Sequence, residues 1–149
     1  MDLKGKKIIL GSNSPRRKEL LAGLGIDFIV DTGNTFEEVY DPSTPHVKIP
    51  EVLSEGKSYG FHRELEDDEI LITSDTLVLC ADKVMGKPHS REEAIDMLRC
   101  LSGCGQKVIT ATLNRDPWGY QTYDDYEEMI IWTRHKDGSW SYDYSIFDR

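Results

Sequence analysis

The sequence predicts an α/β fold, a mixed sheet flanked by helices, ending in an aromatic β-hairpin. Short apolar runs at 7–10, 27–30, 70–73 and 107–111 alternate with stretches of helical pattern, the order expected of an α/β domain. Two of those stretches carry start signals, Ser14-Pro15 and Ser90-Arg91-Glu92-Glu93. Composition then changes near residue 113. Nine of the fourteen aromatic residues fall in the last 37 positions, and all three cysteines fall before them. The chain is therefore divided into an α/β segment, 1–112, and an all-β segment, 113–149, expected to pack on it.

Each element has its own justification. Lys7-Ile8-Ile9-Leu10 is an apolar run stopped by Gly11, the pattern of a buried strand. Ser14 is placed to cap a helix with Pro15 at its first position; Leu20, Leu21 and Leu24 give it an apolar face and Gly25 ends it. Asp27–Val30 reads as a second strand, 31–49 as loop, and Pro50 to His62 as a helix interrupted by Gly56 and Gly60. The acidic stretch 64–69 reads as a solvated turn, followed by a third buried strand, Ile70–Thr73. Val78–Cys80 and Lys83–Met85 form the arms of a tight hairpin turning near Asp82. Ser90 and Glu93 make a capping box for a helix to about Leu101, with Ala94, Met97, Leu98 and Leu101 inward. Lys107–Ala111 is a fourth strand. In the last segment, Met129–His135 and Ser139–Phe147 flank the turn signal Asp137-Gly138, with Trp140, Tyr142 and Tyr144 on one face.

Composition excludes several classes of function. The 149 residues carry 27 acids against 18 bases, a net charge of −9, which argues against a nucleic-acid backbone as partner. The aromatic segment is itself acidic, with eight acids and four bases, so stacking on single-stranded nucleic acid is disfavoured. No apolar run reaches the roughly 18 residues a membrane span needs, and the N-terminus lacks a signal-peptide core. Three cysteines are too few, and odd in number, for a disulfide framework. The expectation is an acidic cytoplasmic protein with no membrane partner. An exposed sheet edge or aromatic hairpin favours a homodimer.

The stretch Gly11-Ser12-Asn13-Ser14-Pro15-Arg16-Arg17-Lys18 places three cations in the first turn of a helix, where the helix dipole disfavours them unless an anion sits there. A phosphate at that end would reverse the sign. The alternative is an ordinary solvated basic face. Asp75 follows an apolar strand, where an open α/β sheet presents its ligand site; it can ligate Mg²⁺, act as a base, or simply close an Asx turn. Lys87 in Gly86-Lys87-Pro88 reads as a phosphate contact or a solvated turn lysine. Glu37, Glu38 and Lys57 are weaker candidates by themselves. Cys100 and Cys104 straddle a helix end without nearby partners and read as free thiols.

Taken together, Ser12–Leu21, Phe36-Glu37-Glu38, Lys57, Thr73-Ser74-Asp75-Thr76, Gly86-Lys87-Pro88, Leu101-Ser102-Gly103 and Val108-Ile109-Thr110 resemble, in order and spacing, the Maf family of nucleoside triphosphate pyrophosphatases. The resemblance covers about residues 5–112 and implies a Maf/ITPase-like mixed sheet, truncated and followed by the aromatic hairpin. It implies metal-dependent hydrolysis (Mg²⁺ or Mn²⁺) of a nucleoside triphosphate, with dTTP and UTP typical, to the monophosphate and pyrophosphate. Ser12, Arg16, Arg17, Lys57 and Lys87 then match phosphate-binding positions, Glu38 and Asp75 the metal positions, and Asp75 the activator of water. The chain departs from the family at Ser74, at Ser54-Glu55-Gly56 before Lys57, and at Gln106, and residues 113–149 lack its second-lobe motif. The alternative is a non-catalytic nucleotide-binding or protein-interaction module derived from that fold.

Overall fold

A computed structural model describes residues 3–118 and, as backbone, 121–134 and 140–148. The first apolar run forms β1 (Lys7–Leu10), buried from Ile8 to Leu10. Ser14 caps α1 (Pro15–Gly23), its Oγ accepting from the Arg17 N–H, and Gly25 follows with φ +67° in the left-handed region that glycine tolerates. β2 (Phe28–Val30), α2 (Ile49–Tyr59), β3 (Glu69–Cys80), β4 (Lys83–Met85), α3 (Arg91–Leu101), β5 (Gly105–Arg115), β6 (Gln121–Arg134) and β7 (Trp140–Asp148) complete the order. All seven strands join one sheet in the order β2-β1-β3-β5-β6-β7, with β4 paired to the far end of β3. β2, β1 and β3 are parallel; every other pairing is antiparallel. Among the described residues no helix is long and apolar enough to cross a membrane.

Residues 70–73 and 78–80, expected as two separate strands, belong to one strand in the structure. β3 is one strand of 12 residues, and Asp75 sits in its middle rather than after its end. Thr73-Ser74-Asp75-Thr76 looks like a break because it is polar. β5 supplies partners all along it, however, and the hydroxyls pair across the strands: Thr112 Oγ1 donates to Ser74 Oγ at 3.2 Å, and Thr76 and Thr110 share a 2.9 Å bond. β5 likewise runs past residue 112 to Arg115, and β6 pairs with it from Gly105↔Ile131 to Arg115↔Gln121. The turn expected at Asp137-Gly138 and the faces expected for Trp140, Tyr142 and Tyr144 lie outside the described residues and side chains.

Both core clusters lie on the face of β3 that carries Leu71, Leu77 and Leu79. Leu71, Thr73, Leu77 and Leu79 alternate along β3 and, with Ile109, Ala111 and Leu113 of β5, are buried. Ile49 and Leu53 of α2 join Leu77, Leu79 and Ile109 in one cluster; Ile9, Phe61, Leu65 and Leu71 form a second. By contrast, no residue of α1 or α3 is buried. Leu20 (63%), Leu24 (58%) and Leu98 (66%) stand in solvent, against the inward faces their spacing suggests. Their period of three and four makes a stripe, but a stripe is buried only where another element lies against it.

The acidic stretch also differs from expectation at its end. Glu69 is buried and accepts from both terminal nitrogens of Arg63, at 2.7 and 3.0 Å, and from the Glu66 N–H at 2.9 Å. The Arg63 guanidinium, with the Glu66 amide, holds its carboxyl below the ordinary value despite burial. The stability it contributes is therefore complete above the unfolded carboxylate range, about 4.3, and is lost as pH falls through the lower folded value. Glu69→Gln should flatten the decline of urea stability below about pH 4. An unchanged slope would remove this pair from the acid response.

Gly56 and Gly60, which weaken the helix on paper, are explained by Phe36. A Cβ at Gly56 would meet the tip of the Phe36 ring, and one at Gly60 would lie 2.5 Å from Phe36 Cβ. The loop before α2 is held by the same contact, supported by Asn34 Oδ1 accepting from the Phe36 N–H (2.8 Å) and Gly60 O accepting from the Thr35 N–H (2.8 Å). In an unencumbered helix Gly→Ala gains up to about 1 kcal/mol. Gly23→Ala, in open space on α1, should show that gain in urea unfolding. Gly56→Ala should instead lose stability; a gain at both sites would show that Phe36 does not hold the loop.

Candidate active site

Pairing along β3 leaves an opening. On one edge, β1 covers β3 only as far as Ile72, opposite Leu10, and β4 takes over at Val78, opposite Met85. Residues 73–77 therefore have a free edge on that side, with Asp75 at its centre. A cleft of about 1160 Å³ opens there, lined by Ser14 and Arg17 from α1, Glu38 from the loop, Leu53 and Lys57 from α2, and Asp75–Leu77 from β3. Lys83–Lys87 and the α3 side chains Glu93, Asp96, Met97 and Cys100, with His89, make the other wall.

Two buried hydrogen bonds set α2 in register on β3. Ser54 Oγ donates to the Thr73 carbonyl at 3.3 Å, and Thr73 Oγ1 donates to the Ser54 carbonyl at 2.9 Å. One helical turn beyond Ser54 is Lys57, and two strand residues beyond Thr73, on the same face, is Asp75. Their side chains meet at 2.7 Å with only 18% and 14% of their surface exposed. The same ammonium is 3.1 Å from Glu38, a more exposed carboxylate. Lys57 holds the Glu38 carboxyl below its ordinary value against partial burial, and the charges of Lys87 and Arg17 add to the effect. One lysine thus bridges two carboxylates, with two further cations close enough to be felt.

Arg17 is aimed by the loop after β1. Ser12 is buried; its Oγ accepts from Arg17 Nη1 at 3.1 Å, and Thr76 Oγ1 accepts from Arg17 Nη2 at 3.3 Å. Lys18 turns away, donating to Asn13 Oδ1 at 2.7 Å. Of the seven positions singled out in the sequence, Arg17, Glu38, Lys57, Asp75 and Lys87 line the cleft. Ser12 lies behind Arg17, and Arg16 is exposed on α1 outside the lining. Sequence reasoning missed Thr76, Ser54 and Thr73. The matched spacings Ser54-x-x-Lys57 and Thr73-x-Asp75 were the available signal.

Among the described residues, four cations (Arg17, Lys57, Lys83, Lys87) face four carboxylates (Glu38, Asp75, Glu93, Asp96) in the cleft. Among those described residues, no group of three His, Cys, Asp or Glu side chains is arranged to hold a metal. Such a site can take a polyanion on its cations while its carboxylates are released to other partners. The Maf-like protein profile matches residues 7–136. This chain belongs to the Maf-like family. It is 46% identical over 104 residues to a dTTP/UTP pyrophosphatase of Bacteroides thetaiotaomicron, covering 70% of this chain and 54% of that protein. It is 47% identical over 109 residues to the dTTP/UTP pyrophosphatase of Parabacteroides distasonis, covering 73% and 56%. The Maf-like chain thus spans about half the length of the curated relatives it matches. Its fold is that of the Ham1 protein of Staphylococcus aureus (TM-score 0.53, 13% identity, 86% of this chain and 72% of that one). A nucleoside-triphosphatase, dITP/XTP pyrophosphatase, of Mycobacterium abscessus has the same fold (TM-score 0.50, 14% identity, 87% and 75%).

The Lys57–Asp75 pair is buried enough for its loss to register in stability. Lys57→Met leaves a carboxylate without its cation and should cost about 2–3 kcal/mol in urea unfolding. The double variant Lys57→Met with Asp75→Asn should recover most of that loss. Additive losses in the double variant would show that the two side chains do not depend on each other.

Proposed function

We propose that this Maf-like chain hydrolyses nucleoside triphosphates, dTTP and UTP foremost, to the monophosphate and pyrophosphate. The observation that carries the reading is the Lys57 bridge between Glu38 and Asp75 at the open edge of β3, with Arg17 and Lys87 on the same cleft. The relatives named dTTP/UTP pyrophosphatase support the substrate class. On this reading Arg17, Lys57 and Lys87 bind the phosphate oxygens, Ser12 orients Arg17, and Arg16 adds long-range attraction. Asp75, relieved of Lys57 by the incoming phosphates, accepts the proton of the water that attacks phosphorus.

The donor set fits a divalent cation brought with the nucleotide. Mg²⁺ is commonly held by one or two carboxylates together with substrate phosphates rather than by a protein cage. Glu38 and Asp75 provide two hard oxygen ligands that already share one cation. Four cations balanced by four carboxylates also leave a triphosphate's charge uncompensated. Bound there, Mg²⁺ or Mn²⁺ would neutralise charge developing on the phosphate oxygens. The reading further takes 1–112 as the nucleotide-binding segment, 113–149 as a hairpin packed on it, the cytoplasm as its compartment, and a homodimer through an exposed sheet edge.

The test is pyrophosphate release from a panel of nucleoside triphosphates with Mg²⁺ or Mn²⁺, with Asp75→Asn alongside. Release that falls at least about 100-fold in the variant, with its fold retained, supports the assignment. Nucleotide binding without release by the unaltered chain would replace it with a non-catalytic nucleotide-binding module.

A further inference from the structure

The pyrophosphatase reading uses none of the three cysteines, yet the fold brings them together. Cys80 ends β3, Cys100 lies in the last turn of α3, and Cys104 precedes β5. Cys80 is fully buried, Cys100 exposed and Cys104 intermediate, and none is bridged. The Cys80 thiol donates to the Cys100 carbonyl at 3.5 Å, and the two sulfurs are 3.7 Å apart. We propose that Cys80 and Cys100 are a peroxide-responsive pair whose disulfide ties the C-terminal turn of α3 to the end of β3.

The two thiols are suited to different steps. Exposed Cys100 meets the oxidant: its sulfur attacks one peroxide oxygen, the O–O bond breaks, and a sulfenic acid and one water result. Cys80 then attacks the Cys100 sulfur, the S–O bond breaks, and the leaving hydroxide takes the Cys80 proton as a second water. Two thiols lose two electrons and two protons, and one peroxide becomes two waters. Because the Cys80 proton points at a backbone carbonyl, a sulfur lone pair is left to face Cys100. Burial, with the neighbouring Cys100 and Cys104, pushes the Cys80 thiol up from its ordinary value, so it waits as the thiol, shielded from the oxidant, and gives up its proton only as the hydroxide leaves. A disulfide needs the sulfurs to close by about 1.7 Å, to near 2.05 Å, and the exposed Cys100 side chain is free to supply that movement.

The consequence falls on α3. It buries no side chain, yet it makes one wall of the cleft through Glu93, Asp96 and Met97. A covalent tie at its last turn would restrain an element that otherwise has no buried anchor. This inference does not rest on the pyrophosphatase reading.

The intact chain should be treated with hydrogen peroxide, its free thiols blocked, and its peptides mapped without reduction, with fragmentation between residues 100 and 104. The expected result is an intramolecular Cys80–Cys100 link, loss of two hydrogens in mass, slower amide exchange over 91–101, and full reversal by a dithiol. Cys100→Ser should abolish the link and Cys104→Ser retain it. A link through Cys104, a link between chains, or sulfinic acid on Cys100 beside an intact Cys80 thiol would each overturn the proposal, and the unaltered chain alone decides among them.

Discussion

The seating of α2 on β3 is the constraint on which the rest depends. Ser54 and Thr73 exchange hydrogen bonds with each other's backbone in a buried setting, where an unpaired hydroxyl or carbonyl would cost about 1–3 kcal/mol. That cost opposes both sliding and rotation of the helix. With α2 fixed, Ile49 and Leu53 fall on Leu77, Leu79 and Ile109, and the lysine one turn onward falls on the aspartate two residues onward. Arg115 anchors the other end, donating to the Ser58 hydroxyl and carbonyl, both at 2.8 Å. The loop follows from the same placement, since Phe36 rests on Gly56 and Gly60 and carries Glu38 to Lys57.

The sheet decides where chemistry is exposed. A strand paired on both edges has no room for a ligand beside its backbone. β3 is paired with β5 from Leu71 to Cys80, yet on its other edge the end of β1 and the start of β4 leave five residues uncovered. Hydroxyl residues along this stretch let one long strand persist: Ser74 pairs with Thr112 and Thr76 with Thr110, their own register partners on β5, and Thr76 also accepts from Arg17. Pre-aimed side chains matter because ordering a free arginine or lysine costs up to about 2 kcal/mol of rotamer entropy. Arg17 and Lys57 are held before any ligand arrives.

Much of this was legible from residues. The apolar run at 7–10, the Ser14-Pro15 start, the Ser90–Glu93 cap and the hairpin turn near Asp82 rest on local chemistry, and local chemistry is what one sequence displays. Glu93 shows the limit: Ser90 caps as expected, but the Glu93 carboxylate bonds the His89 N–H rather than closing the box on Ser90. What failed was tertiary. Glu69 reads as one more acid in a run of acids, and Arg63 with the Glu66 amide makes its burial tolerable. Leu20, Leu24 and Leu98 have the right spacing for a core and are exposed, because periodicity says which residues share a face and not whether anything covers it. Gly56 reads as a flaw in a helix until the ring it accommodates is seen.

The order of strands bears on how the unusual last segment relates to the cleft. β6 adds to β5 and β7 to β6, on the side of β3 opposite the β1–β4 opening. Strands in a sheet lie about 4.8 Å apart, so β6 stands two strand spacings from β3 with β5 between. Every described side chain that lines the cleft comes from residues 14–100. The described cleft side chains therefore sit on parts of the chain whose placement rests on α2, β3 and their neighbours. The hairpin's direct backbone bonds instead stabilise β5, which carries Ile109, Ala111 and Leu113 beneath α2. Those bonds reach the site through that shared core: without β6, β5 would lose its outer backbone partner and become the edge of the sheet beneath Lys57 and Asp75.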